Sequence, residues 1–428
     1  MKWNNKKILI ILLFFLSIRI GVAVFMGQKD LAGDSPGYNS YATTILQRTN
    51  WITDFTGSSR SPFYPMFIAA IYAIFGMNNY LSVFLFQAFL SVFTCFYIYK
   101  LGKKIFNEKI AVLSLIWSGF YIFYLKYVRL LLRETLIFFL IIIFFYYLYL
   151  FLIDENRKTR NFSLILLFYF LLIHTDPKYL FYLPFFISLF AIYQPFKQGV
   201  KKYLVFLLMT VLLMIPWTVR NYIAYDKIVL INPETEALFK YNTSTIYLSI
   251  FYLGQIDVSM PDKNPTEEER RMIKSGLNPY NRMKEEISAI KKDIYPPTTF
   301  FGRKWWYFKE FWRPFRFKGE YRPFPLGKFV LWSFKHNLSS IICYGVLIPF
   351  MVLAVIVLFK RKIKAVWFLL FPLFLQCLLH VILWSLDRFR NPIDAFIIIL
   401  GSFGIIFSLN FIFEKLNMGK VASKIKPI

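Results

Sequence analysis

Gly33-Asp34-Ser35-Pro36-Gly37-Tyr38 sits in a polar stretch, Gly27 to Pro62, that follows the first apolar run and closes on Ser58-Ser59-Arg60-Ser61-Pro62. A carboxylate is a proton acceptor, and a guanidinium fork matches phosphate oxygens better than any other side chain. The chain carries further ionisable residues beside or within apolar runs. Arg19 interrupts the first run; Arg129, Arg133 and Glu134 lie at the start of another; His174 and Asp176 separate two more. Arg220 ends Pro216-Trp217-Thr218-Val219-Arg220-Asn221, and Asp387, Arg388 and Arg390 precede Pro392. Charge at membrane depth is costly and calls for a reason. For any one residue the reason can be snorkelling or an ion pair. For the set, in which arginines outnumber acids, an anionic ligand is the better account, and phosphate is the anion that arginine fits best.

Transfer of a sugar from a polyprenyl phosphate requires these parts. The leaving group is a lipid phosphate, whose developing charge arginines stabilise. It leaves readily, so no strong acid is needed, while the acceptor hydroxyl or amine needs one base. The sugar carbon passes through oxocarbenium-like character, and a single base facing the leaving group implies inversion.

These residues must be held by membrane helices. The chain has 428 residues, 57% hydrophobic and 21% aromatic, with mean hydropathy +0.49. Apolar runs of about twenty residues recur throughout, and lipid offers the backbone no water, so each run is expected to be a helix. About ten spans fit the sequence, at 8–26, 80–99, 110–128, 131–152, 162–174, 179–194, 203–219, 339–359, 365–384 and 392–413. No alternating ten-residue strands suggest a barrel. The first run is too long for a cleaved leader and reads as an uncleaved helix. Cys95, Cys343 and Cys377 lie in apolar runs, with neither a disulfide framework nor zinc spacing.

The net charge of +27 reflects basic loops, not a nucleic-acid surface. Lys2, Lys6 and Lys7 precede the first span; Lys100, Lys103, Lys104 and Lys109 follow the second; Arg157, Lys158 and Arg160 follow the fourth. Lys197, Lys201 and Lys202 follow the sixth, Lys360, Arg361, Lys362 and Lys364 the eighth, and Lys415 to Lys426 the last. Every second loop is basic, which places both termini in the cytoplasm and the protein in the cell (inner) membrane as a multi-pass chain. The candidate residues then share the non-cytoplasmic rim. Three regions are expected: 1–219, an N-terminal transmembrane catalytic module whose large outer loop 27–79 carries Asp34; 220–338, an outer region; and 339–428, C-terminal helices with a basic tail. Pro62 to Gly76 is apolar but too short to span. Thr266 to Lys292 reads as a charged surface helix. Phe300 to Trp312 mixes aromatics and bases as interfacial helices do.

In these motifs the chain resembles the GT-C superfamily of integral-membrane glycosyltransferases, in the branch of bacterial protein O-mannosyltransferase-like and lipid A aminoarabinose transferase-like proteins. The pieces are Ile18-Arg19-Ile20; Asp34, Tyr38 and Ala42 at four-residue intervals; Arg60 to Pro65 leading into a short apolar helix; Glu134; Pro216 to Asn221; and Arg388, Arg390 and Pro392. The resemblance implies an all-α GT-C-type bundle with Asp34 as general base and Glu134 as a second acid. It implies Arg60, Arg388 and Arg390, joined by Arg220, as donor-phosphate ligands, and Tyr38, Arg129, Arg133 and Arg19 as positioning residues. Ser59 stands where some relatives have an acid, and Asp34-Ser35 where the eukaryotic mannosyltransferases have Asp-Glu, so the sequence supports neither a divalent metal nor specifically a protein acceptor, and no required cofactor is expected.

The reading is an inverting glycosyltransferase that takes a polyprenyl-phosphate-linked sugar to a glycan, lipid or protein acceptor. The alternatives are a lipid or sugar transporter or flippase, or a catalytically silent membrane scaffold. Transporters concentrate polar residues at the bilayer middle, whereas here they collect at one rim. Nothing in the sequence identifies the sugar, the acceptor, the polyprenol length or the oligomeric state.

Overall fold

A computed structural model describes residues 4–47, 60–153, 158–225, 228–231, 300–314, 338–382 and 389–415. The described residues are mostly helical and contain no strand. The helices are α1 (Asn5–Met26), α2 (Ser35–Gln47), α3 (Phe63–Phe75), α4 (Tyr80–Ile105), α5 (Glu108–Gly119), α6 (Ile122–Val128), α7 (Glu134–Ile153) and α8 (Lys158–Thr175). A 3-10 segment, Pro177–Phe185, leads into α9 (Phe186–Tyr193). Then come α10 (Phe196–Tyr225), α11 (Phe300–Trp312), a π turn at Ile341–Gly345, α12 (Leu347–Lys360), α13 (Ala365–Ile382) and, after a 3-10 turn at Asn391–Ile393, α14 (Asp394–Lys415).

Among the described residues seven helices are long and apolar enough to cross a membrane, and an eighth crossing results if α5 and α6 are one span. The expected spans at 162–174 and 179–194 correspond to shorter apolar helices, and the one at 110–128 is bent by 48° between α5 and α6. The break has an identifiable cause. Gly119 ends α5 directly against the Phe15 ring, so closely that a Cβ would lie 2.0 Å from it. The last carbonyls of α5 are then taken by Arg19 of α1, through Nη1 to Gly119 O at 3.1 Å and Nη2 to Ser118 O at 3.4 Å. The Ile122 amide that opens α6 donates to Cys343 Sγ at 3.3 Å. A broken helix inside a bundle must find such substitutes for its lost ladder.

Gly27 to Pro62 is not wholly loop. Ser35–Gln47 is helical and buries Tyr38, Tyr41 and Ala42, an i, i+3, i+4 stripe on one face; Pro36 in the first turn costs no hydrogen bond there. The apolar segment after it forms α3 over 13 residues and stops at Gly76, whose φ of +96° suits glycine alone. The expected helix at Thr266 to Lys292 lies outside the described residues.

Two compact units are present, one of Met1–Ala237, Cys343–Leu379 and Arg390–Ile428, the other of Leu238–Ile342 and His380–Phe389. In the first, α7 is the central element: sixteen of its twenty residues are buried. Its Phe145 meets Phe396 at 5.0 Å and Phe368 at 5.7 Å, edge-on in both cases, the geometry ring quadrupoles favour. Gly404 lets α14 approach α12 until a Cβ would meet the Phe350 carbonyl at 2.0 Å, the close contact that small residues allow between membrane helices. In the second unit, α11 is the amphipathic helix expected at Phe300 to Trp312. Its Lys304 Nζ donates to the Ile382 carbonyl at 2.5 Å, and Phe311 stacks on His380.

Candidate functional site

The site is assembled where α1 ends, α2 begins and α7 starts. Gln28, just past α1, receives no side-chain help from its own helix; its amide donates to Arg129 O at 2.9 Å, and its Oε1 accepts from Leu131 N and Ser35 Oγ. Those bonds fix the first residue of α2 beside the turn that enters α7. Arg129 returns the contact by donating to Met26 O at 3.0 Å. Gly33, at φ +65°, turns the chain so that Asp34 stands immediately before α2.

Asp34 and Arg60 meet here: Nη2 donates to Oδ1 at 2.9 Å, with the side chains 29% and 18% exposed. Arg60 lies over the Tyr38 ring, 5.2 Å from its centroid, and it can do so because Gly37 has no side chain; a Cβ there would sit 3.3 Å from Arg60 Nε. Tyr38 meets Tyr64 of α3 edge-on at 5.0 Å. Burial pushes the Tyr38 hydroxyl well above its ordinary range, and the charges acting on it are those of Arg133, Glu134, Arg60 and Asp34.

Glu134 opens α7, where the helix dipole favours an acid. Its buried Oε2 has no hydrogen-bond partner among the described residues. Beside it, Arg133 donates to Thr175 O at 3.4 Å and pairs with Asp176 at 3.5 Å, while Lys178 pairs with Asp176 at 2.9 Å. Burial alone would raise the Asp176 carboxyl, but Arg133 and Lys178 outweigh it and hold the group below its usual range.

The other predicted arginines among the described residues make buried contacts of their own. Arg19 is fully buried and, besides the α5 carbonyls, donates to Ser91 Oγ at 2.8 Å and to Cys95 Sγ at 3.3 Å. Arg220 is buried over the Trp217 ring and donates to Asn221 Oδ1 at 3.0 Å. Arg390 is fully buried, donates to Asp394 Oδ1 at 3.1 Å and lies 3.4 Å over the Tyr344 ring; Tyr121 completes that network by donating to Asp394 Oδ2 at 2.6 Å. Arg388 and Asp387 fall outside the described residues.

Two contributors escaped the sequence reading. Gln87 of α4 is fully buried, accepts from Tyr64 at 2.9 Å and donates to Leu130 O at 2.8 Å and Val128 O at 3.0 Å. It closes the C-terminal end of α6 and carries α3 and the α7 entry on one amide. The signal was present in Gln87, Ser91 and Cys95, polar or soft residues four apart in an apolar run. Lys178 is the other, two residues past Asp176 and after a proline.

Residues 59–219, the segment holding Arg60, Glu134 and Lys178, match the family model of dolichyl-phosphate-mannose-protein mannosyltransferases. The backbone is similar to that of the Archaeoglobus fulgidus oligosaccharyltransferase in the apo form, with a TM-score of 0.57, 13% identity and coverage of 98% of this chain and 52% of that one. The chain thus shares its fold with this oligosaccharyltransferase. It also resembles the archaeal oligosaccharyltransferase AglB of Archaeoglobus fulgidus in complex with an inhibitory peptide and a dolichol-phosphate, at TM-score 0.58 and 14% identity over 98% of this chain and 52% of that one. The same organism's oligosaccharyltransferase tethered to an acceptor peptide containing the NVT sequon gives 0.56 and 14% over 96% and 50%. The chain spans about half the length of these structures. No curated protein matches it.

Proposed function

We propose that this chain is an inverting glycosyltransferase that moves a sugar from a polyprenyl phosphate to an acceptor on the non-cytoplasmic face of the cell membrane. The observation that carries the reading is the Asp34–Arg60 pair at 2.9 Å: the expected base and the expected phosphate ligand are neighbours although 26 residues apart. The family match over residues 59–219 and the dolichol-phosphate in the AglB structure support a lipid-phosphate donor.

In this mechanism the donor phosphate competes with Asp34 for Arg60. As Arg60 turns to the phosphate, the Asp34 oxygen it held becomes available to the acceptor. The acceptor proton passes to Asp34, the acceptor oxygen or nitrogen bonds to the sugar carbon, and the bond from that carbon to the phosphate oxygen breaks with its electrons on the phosphate. Arg60 stabilises the departing charge. Glu134, with an oxygen that lacks a partner among the described residues, takes a hydroxyl of the sugar or acceptor. Tyr38 supports Arg60 through its ring, and Arg133 acts from the neighbouring cluster. Of the other arginines assigned to the phosphate, Arg390 holds Asp394 through Nε, and its terminal nitrogens would be the ones to meet the phosphate. The test is transfer of labelled sugar from a polyprenyl-phosphate donor by wild type, Asp34→Asn and Arg60→Ala. Equal rates in all three overturn the reading.

A further inference from the structure

The end of α7 opposite Glu134 borders a cavity unrelated to the sugar-transfer residues. At about 1.5 Å per residue a twenty-residue helix is about 30 Å long, the thickness of a bilayer's hydrocarbon, so the two ends of α7 lie at opposite membrane surfaces. The cavity measures about 590 Å³ and is bordered by Tyr149 and Leu152 of α7, Ile105 of α4, Tyr193 and Gln194 after α9, and Lys364 before α13. Aliphatic and aromatic side chains make up most of its lining, and Lys364 is the basic residue among them. Lys202 Nζ donates to Gln194 Oε1 at 2.5 Å and lies over the Phe151 ring, another wall residue. Gln194 is fixed in turn by donating to Leu152 O, and Tyr193 by donating to Lys364 O at 2.7 Å. Two basic side chains thus border the cavity: Lys202 of α10, held on Gln194, and Lys364, itself a lining residue.

We infer that this cavity is a binding site for an anionic phospholipid, with the headgroup phosphate between Lys202 and Lys364 and the acyl chains along Tyr149, Leu152 and Ile105. Basic recesses between membrane helices select anionic headgroups in this way. The size falls within the range that small-molecule sites occupy, about 300–1,000 Å³. A soluble phosphate ester would gain nothing from the apolar walls, so the charge and the lining together specify a lipid.

The experiment is native mass spectrometry of the full chain from micelles holding equal phosphatidylglycerol and phosphatidylcholine, with glycerol 3-phosphate as the soluble competitor. Wild type is expected to retain phosphatidylglycerol preferentially and keep it against millimolar competitor. Two lysines at the headgroup correspond to a preference of about thirtyfold. Lys202→Ala with Lys364→Ala is expected to abolish the preference, and Lys364→Gln alone, which leaves the Gln194 contacts intact, to reduce it about fivefold. Equal retention of the two lipids by wild type, or an unchanged preference in Lys364→Gln, overturns the proposal. Displacement by glycerol 3-phosphate assigns the site to soluble phosphates and overturns the lipid assignment. Sugar transfer by these variants is read separately, so the outcome does not depend on the catalytic reading.

Discussion

Arg60 donates to Asp34 at 2.9 Å while its guanidinium covers the Tyr38 ring. The two charges come from opposite ends of the segment between α1 and α3, and their pairing neutralises both in the resting chain. Ligand binding at either residue must therefore change the other. This coupling separates catalysis from stability in mutants of the pair.

Asp34→Asn keeps the shape and removes the proton acceptor, and is expected to lower kcat by about 10²- to 10⁴-fold. Arg60→Ala is expected to lower kcat by about 10²-fold or more and to weaken donor binding as well. Arg60→Lys recovers little, because an ammonium lacks the two-pronged geometry. Both side chains are partly exposed, and such pairs contribute only about 0–1 kcal/mol to stability. Thermal unfolding of each variant should therefore stay close to wild type while transfer collapses.

Gln87→Leu is expected to act the other way. It leaves the Tyr64 hydroxyl and the carbonyls of Val128 and Leu130 without the partner they have now. Each buried group so stranded costs about 1–3 kcal/mol. The variant should unfold at clearly lower temperature, and any folded fraction should show reduced kcat because α6 no longer sets the α7 entry. Tyr64→Phe removes one bond only and should cost about 1 kcal/mol. Denaturation in detergent, compared with transfer per folded molecule, reads both effects.

The Arg390–Asp394 pair is fully buried. Breaking it from one side, as in Asp394→Ala, is expected to cost about 3–5 kcal/mol, because the guanidinium is left uncompensated. Arg390→Met combined with Asp394→Leu removes both charges and should recover much of that loss. Unfolding of the single and double variants measures the difference. Recovery of stability without recovery of transfer would show that Arg390 also serves the donor phosphate.

Asp176 gives the site an acid limit. Its carboxyl is held below the ordinary value of 3.8 despite burial. A depressed folded-state pKa means that the stabilisation is complete above the unfolded value and is lost as pH falls through the folded one. Asp176 therefore stabilises the chain through the neutral range and fails only below about pH 4. Asp176→Asn should be less stable than wild type at pH 7, and the gap should close as the pH is taken below that point. Unfolding curves across pH 3 to 7 follow it.

The sequence by itself determined the elements and the candidates. Apolar runs longer than the hydrocarbon is thick have one stable form in lipid, so α1, α4, α7, α10, α13 and α14 were legible from length and composition. Asp34, Arg60 and Glu134 stood out because charge beside such runs is expensive. What it left undecided was which charges meet, since partners such as Arg60 with Asp34, or Gln87 with Leu130, are 26 and 43 residues apart and local pattern does not encode distance in space. The bend after Gly119 belongs to that class as well: a continuous apolar run favours an unbroken helix, and Arg19 and Cys343, arriving from α1 and from the π turn before α12, supply the donor and the acceptor, respectively, that let α5 stop and α6 begin. Tertiary packing likewise turned Arg19 and Arg390, read from sequence as rim residues, into fully buried side chains, because a guanidinium offers five donors and settles where enough acceptors converge.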